Sequence, residues 1–288
     1  GKDALNLNTT GYDNVAIGRG ALLDNTTGNL NTAVGRAALE NNTTADTNNA
    51  FGRRALYTNT TGADNTAIGY LALYSNTTAS YNTAVGNSSL QSNTTGAKNT
   101  AVGFGAMNVN TTGYENVAMG RNALDANTTG YANVSIGESS LTSNTTGYRN
   151  TAIGQNSMAA CTEGLENTAV GQNSLNDLTT GDYNTVMGQN AAAAITTATN
   201  NVAIGVNALD ANTNGNYLVA IGNNTYTAFS DNDWGVAVGH GAMKSATNAG
   251  NCTAVGPQAL EDCTSGHNNT AVGMNASRNV TTGQSNSS

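Results

Sequence analysis

Few residues in this chain are of the types that do covalent chemistry, and their spacing does not favour it. The two histidines, His240 and His267, have no acidic or Cys partner at metal-ligand spacing, so they read as surface imidazoles. The three cysteines, Cys161, Cys252 and Cys263, are an odd number and assign no redox compartment. Asp231 and Asp233 are close in sequence, but glycoside hydrolysis needs a defined acid and base across a groove, and the pair reads as turn acids. No glycine-rich segment continues into Gly-Lys-Ser/Thr, as a phosphate-binding loop would. The calcium-binding G-G-x-G-x-D nonapeptide is also absent. The residues therefore assign no catalytic group, no metal and no cofactor, and the expectation is a protein that is not an enzyme.

What the sequence does carry is repetition. Beginning at Gly18, every seventeenth residue is glycine: Gly35, Gly52, Gly69, Gly86, Gly103, Gly120, Gly137, Gly154, Gly171, Gly188, Gly205, Gly222, Gly239, Gly256 and Gly273. One step back reaches Gly1. The unit is N-T-T-G-x-x-N-T-A-V-G-x-x-A-L-x-x, counted here as columns 1 to 17 from Asn8. Even the irregular stretch near Asn223 keeps this register, with Phe229 in column 1, Ser230 in column 2 and Gly239 in column 11. A repeat that admits no insertion implies copies stacked residue over residue.

Seventeen residues are too few for two helices and their turns, since helical repeats need roughly 33 or more. The N-T-A-V-G segment is short, rich in β-branched residues and closed by Gly, which describes a strand. The x-x-A-L segment is expected to form a second short strand, and N-T-T-G supplies turn chemistry. Two strands and two turns make one coil of a parallel β-solenoid. The fold expected is all-β, one continuous solenoid over residues 1–288 with about 17 coils. At the usual strand spacing its length is on the order of 80 Å. Gly1 enters in column 11 and Ser288 leaves in column 9, so the chain reads as a fragment of a longer fibre or as a subunit of a stacking filament.

Substitution within columns indicates which way side chains point. Column 10 is apolar throughout (Ile17, Val34, Phe51, Ile68, Val85, Met119, Val255), and column 15 is Leu or Met in most copies. These two columns are expected to form the core. Column 1 is Asn except where Cys161, Leu178, Ile195, Phe229, Ala246, Cys263 and Val280 replace it. Every replacement is apolar, so column 1 reads as inward. Column 7 carries Asn14, Asn31, Asn48, Asn65, Asn82, Asn99, Asn116, Asn133, Asn150, Asn167, Asn184 and Asn201, and then Leu218, Gly235 and Cys252. Stacked in register, these amides would form a structural ladder beside the Gly column, with partners above and below. Cys161, Cys252 and Cys263 stand in Asn columns and read as small buried filler. The Asn-Thr-Thr triplets match the glycosylation sequon, but an inward Asn favours the ladder.

In a strand, columns 7, 9 and 11 share one face and columns 8 and 10 the other. The first is Asn-Ala-Gly and the second Thr or Val followed by Val or Ile, so neither has the character of a solvated face. A strand covered on both sides needs a layer beyond its own coil, and cyclic association of identical chains supplies one. Column 2 is Thr or Ser from Thr9 to Thr281. Such a hydroxyl row raises ice binding, and hydroxyl-to-backbone bonding is the structural reading.

Aromatics are 5% of the residues, but Tyr217, Tyr226, Phe229 and Trp234 lie together in sequence. Phe229 falls in an inward column and Tyr226 in the Leu column, which leaves Tyr217 and Trp234 as candidate receptor contacts. Tyr114, Tyr131 and Tyr148 share column 5 with Tyr12 on consecutive coils and are expected to form an exposed stripe, a second candidate contact. Only 10% of residues are charged and there is one Pro, unlike a disordered chain. The net charge of −8 disfavours nucleic acid and anionic membrane as partners. No apolar run approaches the ~20 residues of a membrane helix, and no signal peptide is visible.

The N-T-A-V-G-x-x-A-L unit resembles the head repeats of trimeric autotransporter adhesins. The longer N-T-T-G-x-x-N-T-A-V-G-x-x-A-L array is similar to those of phage tail-fibre and tail-fibre-like surface proteins. The resemblance covers the whole chain. It implies a left-handed parallel β-roll, a homotrimer, and a place outside the cell or on a virion as a spacer or attachment fibre. The partners implied are further copies of the chain and a host-surface glycan or protein receptor. Adhesin head repeats are shorter than 17 residues, and both lineages stay open. A homopolymeric filament joined end to end and an ice-binding solenoid are the alternatives.

Overall fold

The computed structural model describes residues 1–228 and 233–288. Phe229, Ser230 and Asp231, assigned above to column 1, column 2 and a turn, lie outside the described residues. The protein is all-β, a parallel β-solenoid with a 17-residue coil and no helix among the described residues. Two compact units divide it, Gly1–Thr146 and Gly147–Ser288. The first unit holds β1 (Val15–Ile17), β2 (Thr32–Val34), β3 (Asn49–Phe51), β4 (Thr66–Ile68), β5 (Thr83–Val85), β6 (Thr100–Val102), β7 (Val117–Met119) and β8 (Val134–Ile136). The second holds β9 (Thr151–Ile153), β10 (Thr168–Val170), β11 (Thr185–Met187), β12 (Val202–Ile204), β13 (Leu218–Ile221), β14 (Gly235–Val238), β15 (Thr253–Val255) and β16 (Thr270–Val272). Within each unit neighbouring strands pair in parallel at a constant offset of one repeat. Thr83 faces Thr100 between β5 and β6, and Thr151 faces Thr168 between β9 and β10.

The strand ends at the column-11 glycine for a steric reason. Gly35 has φ 137° and Gly86 φ 135°, a region that side-chain-bearing residues rarely enter. A Cβ on Gly86 would also lie 2.7 Å from the carbonyl carbon of Gly103 in the next coil. Coils therefore approach here backbone to backbone, and no other residue fits.

The expected second strand is not present. The x-x-A-L segment is a turn, and its Leu is left-handed in copy after copy, as in Leu22 (φ 51°), Leu39 (φ 49°) and Leu175 (φ 48°). A strand would send Ala and Leu to opposite faces. The turn sends both inward: Ala38 and Leu39 are fully buried. The left-handed conformation costs a non-Gly residue roughly 1–2 kcal/mol. Burying a Leu side chain contributes about 1.5–3 kcal/mol. The Leu22 N–H also donates to the Ala38 carbonyl at 3.0 Å, so burial and the bond together offset the strain.

The core corrects the reading of column 10. Ala in columns 9 and 14, Leu in column 15 and Asn in columns 1 and 7 fill the coil. Column 10 points away from it: Phe51 is 40% exposed and Met187 45%. Once columns 7 and 9 face inward, strand alternation sends column 10 outward. Its apolarity therefore reports an outer surface.

Replacing Gly86 with Ala should cost more than about 2 kcal/mol or prevent folding, because strain and a backbone clash add. Gly273→Ala, in the same column with φ 132° but with its added Cβ no closer than 3.9 Å to Ala276 Cβ, carries the strain without the clash and should cost about 1–2 kcal/mol. Denaturation midpoints followed by circular dichroism compare the two. Equal losses would contradict the backbone-approach account.

Candidate functional site

Amides bond most of the polar groups of the interior. In the first unit the Gly28 carbonyl accepts from Asn25 Nδ2 at 3.0 Å and from Asn14 Nδ2 at 2.8 Å. Asn25 Oδ1 accepts from Asn42 Nδ2 at 2.9 Å, and Asn14 Oδ1 from the Asn31 N–H at 3.0 Å. The column-1 ladder continues to Asn127 and Asn144, and column 7 continues through Asn116 to Asn133. In the second unit Asn167 Nδ2 bonds Asn150 Oδ1 at 3.2 Å and the Gly181 carbonyl at 2.8 Å. Both Asn columns face inward, and their amides bond from coil to coil except at Asn82, whose Nδ2 has no partner among the described residues.

Some replacements of these amides are purely apolar, such as Leu178 and Ile195, but two cysteines keep the pattern. The thiols of Cys252 and Cys263 lie 3.2 and 3.7 Å from the Gly266 carbonyl, in the two positions that amides occupy elsewhere. Gly235 lacks a side chain where the Tyr226 hydroxyl reaches from column 15, and Tyr226 is fully buried. All three cysteines are free and buried. Burial pushes the Cys161 thiol up to about 12 and raises those of Cys252 and Cys263. None has the electropositive, accessible setting of a reactive thiol.

The column-2 hydroxyls are occupied. Thr26 Oγ1 donates to the Thr43 carbonyl at 3.0 Å and Thr94 Oγ1 to the Thr111 carbonyl at 3.0 Å. The outward strand face is the larger surface feature of each unit. Column 8 is half-buried through most of its length and column 10 half-buried to exposed. Together they make a regular row of Thr, Val, Ile, Met and Phe.

The candidate aromatics are partly brought together. Tyr217 and Trp234 stack with ring centroids 4.5 Å apart and planes 12° apart, 47% and 60% exposed. A depression beside them is lined by Gly235, Val236, Asn251 and Thr253. In the first unit Tyr114 and Tyr131 stack at 5.0 Å. Tyr148, in the second unit, is half-buried, with the Arg149 guanidinium 5.6 Å from its ring centre. His240 is exposed, and His267 Nδ1 accepts the Gly250 N–H at 3.2 Å. No group of three or more His, Cys, Asp or Glu side chains among the described residues could hold a metal ion. Asp233 Oδ1 accepts the Asn216 N–H at 2.7 Å, a turn role.

Column 12 escaped the sequence reading. Lys2, Arg19, Arg36 and Arg53 follow one another there in the first unit, and all four are exposed. Arg19, Arg36 and Arg54 line a depression of about 220 Å³ together with the carboxylates of Asp3 and Glu40. Reading charge down each column would have found it. No protein-family model matches the chain, and no curated protein matches its sequence.

Buried thiols set a pH dependence. An unfolded Cys161 ionises near its ordinary value of 9.0, whereas the folded residue keeps its proton to about 12. Between those values the unfolded chain binds fewer protons, so stability falls as pH rises. The loss should reach about 2 kcal/mol at pH 10.5 relative to pH 8 for Cys161 alone. Cys161→Ala should remove that share of the alkaline loss, read from denaturant midpoints. An unchanged alkaline loss in the variant would contradict the burial of this thiol.

Proposed function

We propose that this chain is a segment of an extracellular fibre, at a cell or virion surface, that self-associates as a homotrimer and serves in attachment. The observation that carries the reading is the outward strand face. Soluble single chains rarely leave a long contiguous apolar surface open to water, and such surfaces mark association sites. Column 10 is apolar in every copy, although it contributes nothing to the interior of its own coil. Each strand repeats the same pattern, so the face is self-similar along the chain and suits identical partners around an axis. The resemblance of the repeat to adhesin-head and tail-fibre arrays supports the same reading. Attachment would then combine many weak contacts along a stiff support.

A second reading is favoured by column 8. Thr66, Thr83 and Thr100 stand on successive strands with their side chains on the outward face. A regular row of hydroxyls and methyls on a flat strand face is also a surface that could meet ice, if no partner chain covers it.

Light scattering on the purified protein at several concentrations separates these readings. The expected result is a fixed mass near three times 29.1 kDa. The double variant Val85→Glu/Val102→Glu, which places carboxylates on the outward face, should fall to the mass of one chain with its circular dichroism unchanged. A mass that climbs with concentration would replace the trimer with an end-to-end polymer. A stable wild-type monomer would overturn self-association, and thermal hysteresis on freezing would then test the ice reading.

A further inference from the structure

The solenoid has a consistent way of placing charge. Side chains one repeat apart lie over one another, and ion pairs use that spacing with opposite signs. Lys98 pairs with Glu115 at 3.1 Å, Arg149 with Glu166 at 2.9 Å and Arg278 with Glu261 at 2.7 Å; Arg121 pairs with Glu138. Four of the ten Lys and Arg residues are accounted for in this way. Five of the remaining six, Lys2, Arg19, Arg36, Arg53 and Arg54, lie within one part of the first unit. None of these five is in an ion pair with a described residue, although Asp3 and Glu40 share the depression that Arg19, Arg36 and Arg54 line.

Four of the five break the placement pattern. Lys2, Arg19, Arg36 and Arg53 occupy column 12 on consecutive coils, so cation stands over cation. Backbone bonds hold them in register: the Gly20 N–H donates to the Lys2 carbonyl at 3.0 Å, Ala37 N–H to the Arg19 carbonyl at 2.9 Å and Arg54 N–H to the Arg36 carbonyl at 2.9 Å. Like charges stacked over one another on successive coils repel. In a chain with only 10% charged residues and a net charge of −8, this clustering is a departure from the local rules of the fold, of the kind functional sites make. Aromatic rings orient two of the guanidiniums without neutralising them. Arg53 lies 5.7 Å from the Tyr70 ring centre and Arg54 5.5 Å from that of Tyr57.

We propose that Lys2, Arg19, Arg36, Arg53 and Arg54 form a binding site for a linear anionic polysaccharide, laid along the solenoid axis with its acidic groups against successive coils. Guanidinium groups present paired donors that match a carboxylate or sulfate. The coil step of about 4.8 Å is close to the length that one pyranose adds to an extended chain. It is shorter than the separation of phosphates along an extended nucleic-acid strand. Tyr70, exposed at the end of the basic run, offers a face for a sugar ring. As a receptor site this rests on the attachment reading above. As a binding site it stands alone, so a monomeric protein that held the polysaccharide would end the trimer and leave this site intact.

Fluorescence anisotropy of labelled polygalacturonate, titrated with the 288-residue chain at low and moderate salt, tests it. Binding should weaken linearly in log affinity against log salt, as release of several counterions requires. Arg19→Gln/Arg36→Gln should lose at least tenfold in affinity while melting at the same temperature as the parent or higher, because a repulsion has been removed. Arg121→Gln, whose Arg is paired with Glu138, should change affinity less than twofold. Absence of wild-type binding at low salt, an equal loss in Arg121→Gln, or a lower melting temperature in the double variant would overturn the proposal. Binding of neutral dextran as tight as that of polygalacturonate would overturn its electrostatic basis. A single-stranded oligonucleotide bound as tightly would overturn the choice of a polysaccharide.

Discussion

The column-4 carbonyl, with an amide donor from its own coil and another from the coil before, is the contact on which the rest of the structure depends. Asn25 and Asn14 converge on Gly28 in this way, and Asn59 and Asn48 converge on Gly62. A buried amide left without partners costs about 1–3 kcal/mol. A slip of one residue would strip the partners from both ladders within the coil. The amides therefore make the 17-residue period compulsory, and the column-11 glycines let the backbones close to the distance that the bonds require. Shorter strands suffice here than in most sheets because the turns are also bonded coil to coil, as in Asp24 to Glu40 and Thr26 to Thr43.

Much of this was legible in the sequence, for reasons that differ by position. The glycine column declared itself by never varying in step, and its steric cause is local. The Asn columns declared themselves by their replacements: Leu178 and Ile195 are fully buried where Asn stands elsewhere. Column 10 misled because apolarity alone does not say which face of a strand enters the coil. The second strand was expected because Ala-Leu reads as a short apolar segment, and nothing in a Leu announces a left-handed backbone. Of the candidate contacts, Tyr217 and Trp234 were legible by exclusion from the inward columns. The basic run in column 12 was not, because residues 17 apart do not look like neighbours along the chain.

Satisfying the interior with a repeated amide network leaves the outer columns free to differ from coil to coil. Opposite charges stack in some, tyrosines in others such as Tyr57 and Tyr74, and like charges in one stretch only. This division separates two tasks physically. Columns 1, 7, 9, 11, 14 and 15 set the fold, and columns 5, 6, 8, 10 and 12 face outward to whatever meets the protein.

The most direct test of this account is hydrogen exchange of the Asn carboxamide protons, followed by NMR in the native protein. The ladders predict that carboxamide signals from columns 1 and 7, such as those of Asn59 and Asn99, exchange far more slowly than those of exposed amides. Their protection should vanish together on unfolding. Carboxamides in these columns that exchange at the rate of a free side chain would show that the coils are not held by their amides.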